Sequence, residues 1–206
     1  MNLLIFGATG GTGKVLLQQA LDQNHRITAL VRNPDSVTAS HPNLTVVKGD
    51  ISDSPSLLKV MPNQEAVLSA LGVKVLKSNT VLSDGTANIL RAMSQFGIKR
   101  FICETSLGLG DSKDQMGFFF GKIVVPFFLK SVFVDKERQE KIIMESNAEW
   151  IIVRPGGLTD GPRTGIYRSG LSKDITGQIS RADVADFMLK QLSSATYIRK
   201  TPAISY

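Results

Sequence analysis

Short, near-continuous apolar runs alternate along the chain with segments whose apolar residues recur at helical spacing. The runs predict strands over 1–6, 26–32, 44–50, 65–72, 100–104 and 150–154, with a short last strand over 203–205. The helically spaced segments predict helices over 14–21, 81–96, 133–145 and 181–192, the last with Ser180 as its N-cap. The strands lack a polar alternate face, as expected when both faces of a sheet are covered. Strand–helix alternation of this kind implies an α/β fold, a doubly wound parallel sheet of the Rossmann type. With 206 residues and no repeat, linker or low-complexity tract, one domain spanning 1–206 is expected. Two long loops, 106–116 and 155–176, follow strand C-termini, where such sheets bind their ligands.

The first strand runs straight into Gly7-Ala8-Thr9-Gly10-Gly11-Thr12-Gly13, and a helix follows. Strand, tight glycine turn and helix start together mark a dinucleotide site. Gly7 allows the sharp turn, Gly10 the approach of backbone to a pyrophosphate, and Gly13 close packing of helix on strand. The phosphates would face the free N–H groups of the turn and helix start, from Thr9 through Gly11 and Thr12 to Gly13.

The end of the second strand decides between cofactors. Sites for NAD usually carry Asp or Glu there, to hold the ribose 2′-hydroxyl. This chain has Arg32, which suits a 2′-phosphate through charge-assisted, forked bonds, so NADPH is expected over NADH. Asn33-Pro34-Asp35-Ser36 reads as a turn and cap. Ala70-Leu71-Gly72, ending the fourth strand, would lie along the pyrophosphate and the nicotinamide ribose. Pro155-Gly156-Gly157 either lets the nicotinamide carboxamide approach backbone or merely turns the chain.

Charge and composition add mostly exclusions. Lys and Arg number 24 against 18 Asp and Glu, for a net charge of +6. The basic residues are scattered, which favours a solvated surface that attracts phosphorylated cofactors over nucleic-acid or membrane binding. No basic leader precedes the first strand, so a cytoplasmic protein is expected, as a monomer or weak homodimer. The apolar stretch Met116 to Leu129 is too short to span a bilayer, and reads as a core helix or as the wall of a pocket. Cys103 sits in an apolar run and reads as an inert core residue. His25 and His41 have no partner at metal-ligand spacing, so no metal is expected.

Taken with Leu30-Val31-Arg32, Gly49-Asp50, Thr105-Ser106, the segment Arg154 to Asp160 and Ile179-Ser180-Arg181-Ala182-Asp183-Val184-Ala185, the glycine turn resembles the NmrA-like atypical short-chain dehydrogenase/reductases over essentially the whole chain. The resemblance implies a Rossmann fold, NADPH binding, and reduction of flavins or linear tetrapyrroles such as biliverdin. Some relatives instead sense NADPH and act on partners, so a regulator or assembly factor is the rival reading. It also implies that Asp50, with Ile51 beside it, contacts the adenine; the alternative for Asp50 is a turn or capping residue. Active short-chain dehydrogenases use Ser with Tyr-x-x-x-Lys. Ser106 matches the serine and Lys136 the lysine, but the tyrosine position holds Val132. Outside the resemblance, Ser106 would be a strand-end cap and Lys136 a solvated helix charge. Valine transfers no proton, so ketone chemistry is not expected. Hydride transfer to a planar conjugated acceptor, lying over the nicotinamide beneath the loops after the fifth and sixth strands, needs little acid help. Departing from the flavin- and biliverdin-reducing members, Gly157 stands near where those carry a histidine. That weighs against tetrapyrroles more than against flavins.

Overall fold

The expected parallel, doubly wound sheet is present. The computed structural model describes residues 1–72, 80–115 and 130–206. In chain order the elements are β1 (Asn2–Phe6), α1 (Gly11–Asp22), β2 (Arg26–Val31), β3 (Leu44–Lys48), α2 (Ser54–Val60), β4 (Ala66–Ser69), α3 (Val81–Gln95), β5 (Arg100–Glu104), α4 (Lys130–Glu145), β6 (Glu149–Pro155), β7 (Gly157–Thr159), β8 (Arg168–Gly170), β9 (Gln178–Ser180), α5 (Arg181–Lys190) and β10 (Ala203–Ser205). Among the described residues these strands form an eight-stranded sheet, β3-β2-β1-β4-β5-β6-β10-β8, and a separate pair, β7-β9. Every pairing in the large sheet is parallel except β10 with β8.

The core lies in two layers because successive strand residues face opposite ways. Leu3, Ile5, Ile27, Ile102 and Val153 pack on one face with Leu16, Leu17 and Ala20 of α1 and Val184 and Met188 of α5. Leu4, Phe6, Phe101, Cys103 and Ile152 pack on the other with Leu57 of α2, Ile89 and Met93 of α3 and Ile143 of α4. Cys103 is buried as expected, and burial pushes its thiol up to about 12.

Several boundaries differ from those predicted, each for a local reason. The fourth strand ends at Ser69, not Gly72. Beyond the hydrogen bond from Ala70 N to Phe6 O, β1 has already turned away at Gly7 and no ladder partner remains on that side. α1 starts three residues early, at Gly11, with Gly10 accepting from the Lys14 N–H at 3.0 Å. α2, only seven residues long, is too short to show a helical apolar pattern. Its signal is Asp53-Ser54-Pro55: Asp53 accepts from Ser56 N at 2.9 Å, and proline stands in the first turn. The 155–176 loop contains β7 and β8. Ser180 caps α5 as expected, accepting from Asp183 N at 3.0 Å. Asn33 likewise caps the short 3₁₀ turn Pro34–Ser36.

Candidate functional site

The strand order reverses between β1 and β4, the place where sheets of this kind form their ligand crevice. Register puts one row of residues level across the sheet: Leu30 beside Phe6, Phe6 beside Ser69, Ser69 beside Cys103, Cys103 beside Ile152. The segments that follow this row therefore emerge along one edge. They are Arg32, the Gly7 turn, Ala70–Gly72, Glu104–Ser106 and Pro155–Gly157. The pairing, not any local signal, brings these distant stretches together.

The glycines of the turn have different reasons to be there. Gly7 has φ +80°, and a Cβ on it would stand 2.3 Å from Ala70 O. A Cβ on Gly13 would stand 1.9 Å from Gly7 O, so helix and turn touch through backbone. Gly10 meets no such obstacle: its nearest neighbour would be Gly7 O at 3.3 Å. A glycine here keeps the outer side of the turn open to the close approach of a ligand. At the start of α1 the N-cap, Gly10, offers no side-chain cap, and the first turn carries no acidic residue. Its first-turn N–H groups are open to an incoming anion, with no carboxylate in the helix's own first turn. A pyrophosphate fits this cradle.

The other expected contributors stand around it. Thr9 and Gly11 are exposed, while Ala70 is buried, Leu71 half-buried and Gly72 open, with no atom within 4 Å of a Cβ there. Arg32 is exposed at the outer end of β2, close enough to Asp50 to help hold that carboxyl low. The larger cause is hydrogen bonding: Asp50 Oδ1 accepts from the Ser52 N–H at 2.8 Å and from its hydroxyl at 2.7 Å. Asp50 thus closes its own turn. Ile51 packs against Gly85 of α3, and its carbonyl accepts from Asn88 at 3.0 Å. Gly156 N–H bonds Ile204 O at 3.0 Å and Gly157 N–H bonds Gly177 O at 2.8 Å, tying the loop after Pro155 to β10 and β9. A Cβ on Gly156 would stand 2.3 Å from Gly177 O, so the close backbone approach there is to the chain itself.

Thr12 and Lys136 are placed differently from the expectation. The Thr12 hydroxyl turns inward and donates to Glu104 Oε1 at 2.9 Å, leaving only its backbone for a phosphate. Lys136 is not a solvated helix charge. Its Nζ donates to Thr105 O at 2.6 Å, and burial lowers its pKa. Val132 and Lys136 lie one turn apart on α4, so the tyrosine's position carries an apolar side chain. Ser106 is half-buried at the end of β5, with its hydroxyl on Leu107 O at 3.0 Å. The segment 116–129, expected as core or pocket wall, lies outside the described residues.

Two buried acids that the sequence did not single out link these pieces. Glu104 is 7% exposed, and burial raises its pKa against the pull of Lys136. Glu140 accepts from the Thr105 hydroxyl at 2.7 Å and from Arg154 at 3.0 and 2.7 Å. Arg154 also reaches Asp111 at 2.5 Å, and that hydrogen bond holds the Asp111 carboxyl low. Asp135 accepts from Leu82 N at 2.9 Å and Ser83 N at 3.3 Å, capping α3 from α4. Among the described residues no cluster of acids, histidines or cysteine could hold a metal, and no helix is long and apolar enough to cross a membrane.

The crevice at a strand-order reversal, with an uncapped helix start behind a glycine turn, defines a dinucleotide-binding Rossmann domain. The chain belongs to the NAD(P)H-binding family, whose model matches residues 7–195. It is 24% identical over 216 residues to the photosystem II assembly factor Ycf39 of Synechocystis, covering 98% of this chain and spanning 61% of that protein. Among solved structures it is similar to ChuY, an anaerobillin reductase from Escherichia coli O157:H7. The TM-score is 0.82 and the identity 25%, covering 99% of this chain and 96% of that one. A short-chain dehydrogenase/reductase from Veillonella parvula, solved in complex with NADP, shares the fold at TM-score 0.80 and 22% identity over 100% and 94% of the two chains. These findings bear out the resemblance to the NmrA-like short-chain reductases and the assignment of a nicotinamide dinucleotide as cofactor.

Proposed function

We propose that this protein is an NADPH-dependent reductase that passes hydride to a planar, conjugated acceptor, with free flavin the foremost candidate. The observation that carries the reading is the pairing of a phosphate cradle with an apolar residue at the usual proton donor's place. The N–H groups of Gly11 to Gly13 would hold the pyrophosphate, while that of Gly10 donates to Gly7 O at 2.9 Å within the turn; Arg32 would hold the 2′-phosphate, and Asp50 and Ile51 the adenine side. Ala70 to Gly72 and Pro155 to Gly157 would flank the nicotinamide ribose and ring. Bound NADPH supplies the hydride. The chain orients the two rings against each other, and Ser106 would hydrogen-bond the acceptor at the end of β5. Lys136 acts through Thr105, steadying the backbone beside the crevice. Water supplies the proton that a reduced flavin ring takes up. The anaerobillin reductase activity named for ChuY supports acceptors of this shape. The name of the Synechocystis relative supports the rival, an NADPH-sensing assembly factor.

Cofactor preference tests the Arg32 assignment. NADPH is expected to bind at least about tenfold tighter than NADH, roughly 1.4 kcal/mol. Arg32→Ala should weaken NADPH and leave NADH nearly unchanged when both are titrated calorimetrically. Equal losses for both would sink the assignment.

Turnover separates the reductase from the sensor. Steady NADPH oxidation on adding flavin supports the enzyme; tight binding without oxidation supports the sensor. A positioned general acid contributes about 10²–10⁴-fold. Ser106→Ala is expected to lower the maximal rate less than roughly tenfold, below that range. A thousandfold fall with cofactor affinity intact would mean that a side chain delivers the proton.

A further inference from the structure

The glycine pattern needs Gly7, Gly10 and Gly13, yet the chain also has Gly11 at the first position of α1. The described contacts explain it. A Cβ on Gly11 would stand 2.6 Å from Arg181 Nε and 2.9 Å from its Cδ. The arginine stem lies flat on the helix start, and even an alanine would push it aside. Arg181 is the first residue of α5, which packs beside α1 and is fixed by its Ser180 cap. Its Nη1 pairs with Asp160 at 2.6 Å, and it is close enough to act on Glu104, the acid that holds Thr12. Among the described residues, that one contact is the guanidinium's only hydrogen bond. Asp160 is 88% exposed, and an ion pair so solvated is weak and easily exchanged.

We propose that Arg181 is a further cofactor-binding residue, whose guanidinium donates to the dinucleotide pyrophosphate over the glycine turn. The inference rests on that turn being the phosphate site. Three observations carry it: a forked cation held against the uncapped helix start, a glycine that makes room for it, and donors with no partner among the described residues. A guanidinium so placed matches a diphosphate in charge and in its paired donors. The exposed Asp160 would hold it aimed across the turn until the phosphate takes its place as partner. Arg32 and Arg181 then divide the cofactor: Arg32 reads the 2′-phosphate, and Arg181 grips the part that NADPH and NADH share.

The division can be tested with three ligands on the full chain: NADPH, NADH, and 2′-AMP, which keeps the 2′-phosphate but has no pyrophosphate. Arg181→Ala should weaken NADPH and NADH by similar factors, at least about tenfold, and leave 2′-AMP unchanged. Arg181→Lys keeps the charge without the fork and should lose less, again with 2′-AMP unchanged. If Arg181→Ala proves unstable on thermal melting, the lysine variant carries the test alone. Dinucleotide affinities equal to wild type in the folded variant would overturn the proposal. So would a matching loss of 2′-AMP, which would mean a structural role. Gly10→Val run in parallel keeps the two readings apart. If it loses both dinucleotides while Arg181→Ala loses neither, the turn stands and Arg181 falls. If it binds them normally, the turn itself is not the phosphate site.

Discussion

Gly10→Val is expected to leave the protein folded and to remove NADPH binding up to millimolar concentration. The backbone at Gly10 is extended, with φ −78° and ψ 171°, a conformation any residue adopts. A Cβ there would stand 3.3 Å from Gly7 O, so the turn must give by a few tenths of an ångström, far less than the collisions at Gly7 and Gly13 demand. The branched side chain would instead occupy the space in front of the α1 N–H groups, where the pyrophosphate is proposed to bind. Gly7→Val makes the control. Gly7 has φ +80°, and its Cβ would be driven to 2.3 Å from the Ala70 carbonyl. A β-branched residue in that region is strained by about 1–3 kcal/mol before the collision is counted. Gly7→Val should therefore lose both stability and binding, and Gly10→Val binding alone. Thermal melting with and without NADPH reads both. A folded Gly10→Val protein with wild-type affinity for NADPH would overturn the assignment of the turn.

The largest expected loss of stability comes from Arg154→Met. The side chains of Arg154 and Glu140 are 3% and 4% exposed and joined at 2.7 Å. Removing one partner of such a buried pair leaves a charge with no compensation and costs about 3–5 kcal/mol. Methionine fills much of the stem's volume, so the loss reports the charge and not a cavity. In a protein of this size it amounts to a fall of about 6–20 °C in melting temperature. Asp111→Asn removes the outer partner, whose side chain is 82% exposed, and should cost within about 1 kcal/mol. Equal effects of the two substitutions would show that the buried pair holds no special place. The pair also braces the crevice. Glu140 receives the Thr105 hydroxyl, and the Thr105 carbonyl receives Lys136. Destabilisation here should therefore loosen the end of β5, where the acceptor is proposed to sit.

Much of the binding half of the site is legible from local chemistry. The Gly7–Gly13 turn is contiguous, and its glycine spacing can be read within seven residues of chain, although Gly7 also answers to Ala70 and Gly11 to Arg181. Arg32, proposed for the 2′-phosphate, can be picked out because it directly follows an apolar strand that pairs with β1. Less legible was the segment Asp135-Lys136-Glu137-Arg138, which looks like a solvated helix face. Asp135 is 3% exposed and caps α3, and Lys136 is turned onto the Thr105 carbonyl. A charge run on a helix carries no mark of which member faces inward; that depends on what packs against it.

The strand pattern, the turn and the missing acid after β2 are short-range facts, and from them the chain alone specifies a Rossmann domain with a phosphate cradle at its first turn. The buried partnerships are of another kind. Thr12 meets Glu104 across 92 residues, Thr105 meets Glu140 across 35, and Gly11 makes room for Arg181 from a helix at the far end of the sequence. Each depends on which elements the sheet order sets side by side, and no local spacing encodes that. Glu104, Asp135 and Glu140 become structural partners because neighbouring elements exclude water from them, and the packing of α1 with α5 and of α3 with α4 settles where water is excluded.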